Sequence, residues 1–249
     1  MKLKPHLFCI ECLTNLHVGS GESNYNIIDN EVERDPVLAN VPVIHSSGVK
    51  GALRAHCKAL NGGTEPQWMK NVFGDEPRSE NDTPSGKYKF FTANLLARPL
   101  RVSQGKRSYV LATTRKILDN LEHLAQGLGA TLSIPSDKTG TIKAEGMNMD
   151  WFKPDNTDLF GEEKIALAES FKDIDLPVLA RNQLDDKGIS KQLWYEEIVP
   201  YTSRFTFFVL VPENASDFEV FKNAITGGAV QFGGNASVGY GYCTVKEVK

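Results

Sequence analysis

Three cations recur at every fourth residue, Lys50, Arg54 and Lys58, directly behind Ser46-Ser47-Gly48 and around Gly51. Residues spaced in this way share one face of a helix. Serines and glycines at a helix start leave backbone amides unsatisfied where the positive end of the helix dipole gathers, an arrangement suited to a phosphate. Each glycine costs a helix about 0.8 to 1 kcal/mol relative to alanine, so two of them in the first turns call for a local reason. An ordinary capped amphipathic helix with a solvated basic face would read the same way from this stretch alone. A second stretch, Gly227 to Gly241, holds six glycines in fifteen residues. It lacks the Gly-Lys-Ser/Thr ending of a Walker loop and does not open a helix after a first strand. A backbone-amide nest for phosphates and a bulged hairpin both fit it.

The elements that must position these groups follow from periodicity. His6 to Val18 alternates as a first strand and runs into the flexible turn His17-Val18-Gly19-Ser20-Gly21. A polar loop carrying Asp29, Arg34 and Asp35 leads to the basic helix beyond Pro42. A short helix is predicted from Glu65 to Phe73, extended chain from Tyr88 to Leu100, and helices over Thr113 to Leu128 and Glu162 to Phe171. Ala180 to Glu197 reads as two polar arms around Asp186-Lys187-Gly188, a protruding hairpin with Leu193, Trp194 and Tyr195 available to wedge or stack. Tyr201 to Val211 is a strand, Ser216 to Ile225 a helix, and Ala229 to Phe232 and Tyr242 to Val248 strands around the glycine loop. Strand, helix, strands at the front and strand, helix, strand at the back predict an α+β, ferredoxin-like (RRM-like) core with insertions.

Composition narrows the class. The chain has 249 residues, is 41% hydrophobic and carries a net charge of -3, ordinary for a globular protein and unlike a general nucleic-acid coat. Its charge is unevenly distributed. Lys87, Lys89, Arg98, Arg101, Lys106, Arg107, Arg115 and Lys116 crowd a segment free of acids, while acids cluster between Asp155 and Asp175. No signal peptide or membrane-spanning run is visible, so a cytoplasmic protein is expected. Cys9 and Cys12 lie on opposite faces of the first strand and read, with Cys57 and Cys243, as buried free thiols.

Taken together, His17-Val18-Gly19-Ser20-Gly21, Asp29 with Arg34-Asp35, Pro42 through Arg54, and the glycine loop resemble the RAMP superfamily of CRISPR-associated RNA-binding proteins. Within it the chain is most similar to the backbone RNase subunit of type III effector complexes. Val72-Phe73-Gly74, Arg98-Pro99-Leu100-Arg101, Ala180-Arg181-Asn182 and Leu193-Trp194-Tyr195-Glu196-Glu197 look like the type III-B (Cmr) branch. The family pattern Pro-Tyr-Ile-Pro-Gly-Ser-Ser-Leu-Lys-Gly appears here as Pro42-Val43-Ile44-His45-Ser46-Ser47-Gly48-Val49-Lys50-Gly51, with the small residues shifted. The resemblance implies one RAMP domain over 1–249, with insertions near 61–86 and 130–160 and a thumb-like hairpin at 180–200.

It also implies roles. Asp29 would be the catalytic aspartate, facing target RNA. An ionised loop carboxylate is a feeble general base but a reasonable metal ligand, so Asp29 would serve with a divalent ion, Mg2+ or Mn2+. The implied chemistry is attack of a ribose 2'-hydroxyl on the adjacent phosphate, giving a cyclic phosphate and a 5'-hydroxyl. The hairpin, through Leu193 and Trp194, would splay the target into line. His17 and Glu197 are further candidates for the catalytic site, with Glu196 beside the latter. Ser47, Lys50, Arg54, Arg98, Arg101 and Lys106, with Gly234, Asn235 and Ser237 of the glycine loop, would hold guide-RNA phosphates without reading sequence. The expected partners are guide RNA, target RNA, stacked copies of the same chain and other type III-B effector subunits, with no membrane. A structural guide-binding subunit without cleavage, and a guide-processing ribonuclease using His17 as base, are the alternative functions.

Overall fold

The computed structural model describes residues 2–19, 28–38, 40–75, 85–102, 108–132, 134, 138–144, 147–153, 156–161, 164–171 and 176–249. Along the chain run β1 (Leu3–Cys12), β2 (Arg34–Asp35), β3 (Val41–Ile44), α1 (Ser46–Leu60), α2 (Gln67–Phe73), β4 (Lys89–Phe90), β5 (Ala93–Arg101), β6 (Tyr109–Thr114) and α3 (Arg115–Gly127). There follow β7 (Lys138–Ala144), β8 (Met147–Phe152), α4 (Thr157–Phe160), β9 (Ile165–Ala168), β10 (Val178–Leu184), β11 (Ser190–Glu197), β12 (Arg204–Pro212), α5 (Phe218–Thr226), β13 (Ala229–Gln231) and β14 (Tyr242–Glu247). No helix among the described residues is long and apolar enough to cross a membrane.

Alternation along β1 sends Phe8, Ile10 and Cys12 into one hydrophobic cluster and Leu7 and Cys9 into another. A strand with both faces buried must lie inside a layered sheet, and β1 is flanked by β12 and β14, antiparallel to each. Reading across the sheet, β14, β1, β12 and β5 are neighbours. With α1 following β1 and α5 preceding β14, that order is the ferredoxin-like one read from the sequence. α1 buries Val49, Leu53 and Cys57, one residue per turn, while α5 buries Phe221 and Ile225 on the same side of the sheet. Phe221 meets Phe8, Phe73, Tyr88 and Phe90 edge-on.

Past β5 the sheet continues through β6, β9, β8 and β7. α3, its start capped by the Thr114 hydroxyl accepting from Ile117 N, packs Leu118, Leu121 and Ala125 on the opposite face with Leu7, Leu96 and Phe208. Here the structure corrects two readings. Of the helix expected over Glu162 to Phe171, residues 162 and 163 lie outside the described residues, and Ile165–Ala168 forms β9 instead, parallel to β6 and antiparallel to β8. A four-residue apolar run fits either state, and pairing on both edges decides it. The first strand ends at Cys12 rather than Val18; beyond it the amides of Leu13 and Thr14 donate to the Tyr242 carbonyl, and Leu16 forms an isolated bridge with Val199. The segment 130–160 contributes β7, β8 and α4. All four cysteines are buried and free, and burial pushes the Cys9 thiol up to about 12.

Candidate functional site

Asp29 sits on an exposed segment that adds to the edge of β11. Asn30 forms a parallel bridge with Glu196, and Val32 an antiparallel bridge with Gly19. The amides of Asp29 and Asn30 donate to the Tyr195 carbonyl at 3.1 and 3.2 Å, and the Glu197 amide donates back to Asn30 at 2.9 Å. The Asp29 carboxylate accepts the Tyr195 amide through Oδ2 at 2.7 Å.

Behind this segment two acids are nearly sealed from solvent: Glu196 is 2% exposed and Glu197 4%. Buried carboxylates must be paired, and both are. Glu196 accepts from Arg181 Nη1 at 3.0 Å and from the Asn235 side-chain amide. Glu197 accepts the Val32 amide at 3.0 Å and is ion-paired with Arg34. His17 is 8% exposed. Its Nδ1 lies 2.8 Å from the Glu197 carbonyl and its Nε2 4.0 Å from Glu196. Geometry therefore gives His17 and Glu197, expected as reacting groups, the surroundings of residues that support the Asp29 segment from within.

The glycine loop closes over the same place. Gly233 has φ +72°, and a Cβ there would fall 2.3 Å from the His17 carbonyl, so the close approach needs glycine. The Gly234 amide donates to that carbonyl at 2.9 Å, so it is spent on holding the loop rather than left for a phosphate. Asn235 takes a left-handed turn, φ 61°, and precedes an exposed 3-10 turn over Ala236–Val238 that carries Ser237. Tyr240 and Trp194 lie against the Arg181 guanidinium, 5.3 and 5.8 Å from ring centre to carbon.

The basic helix begins openly. His45 at its N-cap makes no side-chain cap bond and no acid stands in the first turn. Ser47 and Gly48 are exposed, and a Cβ at Gly51 would meet nothing within 4 Å. Packing inside the chain thus does not call for that glycine. Burial, and then Arg54 and Lys89, lower the Lys50 ammonium below its ordinary value. These neighbouring cations repel one another, and an anion would relieve them. Arg54 is also held by Glu65 through two hydrogen bonds of 2.8 and 2.6 Å, a counter-charge the sequence reading missed. His45 lies 3.2 Å from Glu33, which links the helix start to the Asp29 segment.

Arg98 departs from expectation. It is 3% exposed with its guanidinium over the Phe171 ring, and a side chain so enclosed cannot line a groove for RNA. It closes a run of buried residues, Leu95 to Arg98, on β5, whereas Arg101 at the strand end is exposed. Lys106 lies outside the described residues.

The hairpin is present as β10 and β11, a two-stranded sheet separate from the main one. Asp185 shapes its turn by accepting from Lys187 and Ile189 amides. Leu184, Ile189 and Leu193 are more than half exposed, while Trp194 is half-buried beneath Arg181. Among the described residues, clefts of about 440 and 560 Å³ are lined by Tyr88 with Asp217 and by Glu122 with His123, neither lined by Asp29. Asp29 itself is exposed among the described residues.

A model of the RAMP superfamily matches residues 9–244. A curated relative, the CRISPR system Cmr endoribonuclease Cmr4 of Pyrococcus furiosus, is 25% identical over 292 aligned positions, covering 99% of this chain and 97% of that protein. The fold is shared with a subunit of the type III-B Cmr-beta complex bound to cognate target RNA, at TM-score 0.79 and 20% identity over 98% of this chain and 97% of that one. It is shared too with oligomeric Cmr4 of Pyrococcus furiosus, at TM-score 0.66 and 20% identity over the whole of both chains.

Proposed function

The chain belongs to the RAMP superfamily, and from that premise we propose that it is a backbone subunit of a type III-B CRISPR effector complex. In this reading it binds guide RNA, stacks with copies of itself and with other subunits, and cleaves target RNA paired to the guide. The observation that carries the reading is the joining of two halves. The Asp29 segment pairs with β11, and β11, through Glu196, is bonded to the glycine loop. The full-length likeness to Cmr4 supports it.

Guide binding falls to the open start of α1, with Ser47 and Lys50 foremost, and to the exposed turn around Ser237. Backbone amides and cations grip phosphates without reading bases, as suits a protein whose specificity comes from base pairing. Leu193, with Leu184 and Ile189, gives the hairpin an apolar surface against which bases can unstack.

In the cleavage step a ribose 2'-hydroxyl gives up its proton to solvent as its oxygen attacks the adjacent phosphorus, and the bond to the 5'-oxygen breaks. The products are a cyclic phosphate and a 5'-hydroxyl, the leaving oxygen taking up a proton. Asp29 is the carboxylate exposed to receive the RNA. The described residues hold no group of three His, Cys, Asp or Glu able to bind a metal, and Glu196 and Glu197 are committed to arginines. Mg2+ characteristically takes one or two carboxylates together with substrate phosphates, so Asp29 and the RNA itself would hold a divalent ion. When bound, it would neutralise charge on the phosphate.

Purification of the complex from its host, with sequencing of any bound RNA, tests the assignment. Guide-length RNA with a constant repeat-derived end and several copies of this chain are expected. Recovery of the chain without RNA, or with random fragments, would refute it.

A further inference from the structure

Among the described residues, three backbone hydrogen bonds join the Asp29 segment to β11, at Tyr195 and Glu197. The main chain of residues 28–32 meets β11 at one bridge, Asn30 with Glu196, rather than in a ladder, and a slip of one residue would send every side chain to the other face. A side chain adds a further tie. Arg34 is ion-paired with Glu197 through Nη2, and its Nη1 donates to the Asn40 carbonyl at 3.0 Å. Glu197 in turn accepts the Val32 amide. One guanidinium thus ties β11, the Asp29 segment and the approach to β3 together. Without Arg34, a carboxylate whose side chain is 5% exposed would keep, among the described residues, only the Val32 amide, and an unpaired buried charge forces local rearrangement.

We propose that Arg34, acting through Glu197, is a positioning residue that holds Asp29 in register on β11 for cleavage. The proposal rests on the reading of Asp29 as the cleaving group. It also explains the adjacent acids: Glu197 fixes the Asp29 segment while Glu196, between Arg181 and Asn235, fixes the glycine loop.

The test compares assembled complexes carrying wild-type chain, Arg34→Ala, Arg34→Lys, Glu197→Gln and the double variant Arg34→Ala/Glu197→Gln. Single-turnover cleavage and target affinity are measured in each, with hydrogen exchange at the Asn30 and Val32 amides. Misplacement of a reacting group by about 1 Å costs on the order of 100-fold. Arg34→Ala is therefore expected to slow cleavage about 10- to 100-fold at unchanged target affinity, with faster exchange at both amides. Arg34→Lys should recover part of the rate, and the double variant should be no slower than Arg34→Ala, because the pair acts as a unit. Wild-type rate in Arg34→Ala, an equal loss of target binding, or additive effects in the double variant would overturn the proposal. Should the wild-type complex leave target RNA whole, the cleavage reading falls, and unchanged exchange in Arg34→Ala would separately show that Arg34 does not hold the segment.

Discussion

Asp29→Asn separates the two things Asp29 does. The carboxylate accepts the Tyr195 amide at 2.7 Å through Oδ2, and the amide side chain that replaces it keeps an acceptor oxygen of the same shape. If anchoring were its whole role, the substitution would cost at most the difference between a charged and a neutral acceptor. On this exposed segment that is about 1 kcal/mol, or about fivefold in rate. If Asp29 acts on the charge that develops at the phosphate, the expected loss is far larger, about 100- to 1000-fold, as for other groups aimed at a transition state. The assay is single-turnover cleavage of a labelled RNA complementary to the guide, with guide and target affinities measured in parallel, in Mg2+ and again with a chelator. The expected outcome is full assembly, unchanged target affinity and a rate down by two orders of magnitude or more. Cleavage within about fivefold of wild type in a normally assembled complex would refute the reasoning, leaving Asp29 an anchor and the protein a guide holder.

Three further outcomes follow from the basic helix. Lys50→Glu with Arg54→Glu should weaken guide binding and lower the slope of log affinity against log salt by about two; Lys50→Glu alone should carry the larger share, because Glu65 already neutralises Arg54. Gly51→Ala introduces a Cβ into open space, so melting temperature should rise by about 2 to 4 °C from helix propensity while guide affinity, measured by filter binding, falls. Hydrogen bonds from Arg54, opposed by burial, hold the Glu65 carboxyl below its ordinary value. A group depressed in the folded state stabilises above its unfolded value and loses that contribution as pH falls through the folded one. Denaturant titrations of Glu65→Gln should accordingly show a shallower loss of stability below about pH 4.3 than wild type.

Much of this was legible along the chain because periodicity is a local signal. The alternation of Phe8, Ile10 and Cys12 against Leu7 and Cys9, and the one-residue-per-turn burial of Val49, Leu53 and Cys57, follow from strand and helix geometry alone. The open start of α1 was not legible, since Ser46 and Ser47 could cap a helix and only the structure puts His45 at the N-cap without a side-chain bond. Strand β9 was not legible, because four apolar residues between turns carry no period, and only pairing with β6 and β8 makes them a strand.

The candidate site divides in the same way. Sequence by itself determined which groups are available: an aspartate after the first strand, a basic helix behind small residues, and a late loop rich in glycine. Tertiary structure decided what each is near. Arg34 finds Glu197 across 163 positions, and Asn235 finds Glu196 across 39. Nothing in residue type or spacing encodes such meetings, since they depend on where folding places β11. Burial was decided there too, turning Arg98 from a groove cation into one stacked inside on Phe171. The physical reason is that charge and shape belong to a residue, while solvent access and partners belong to the packed chain.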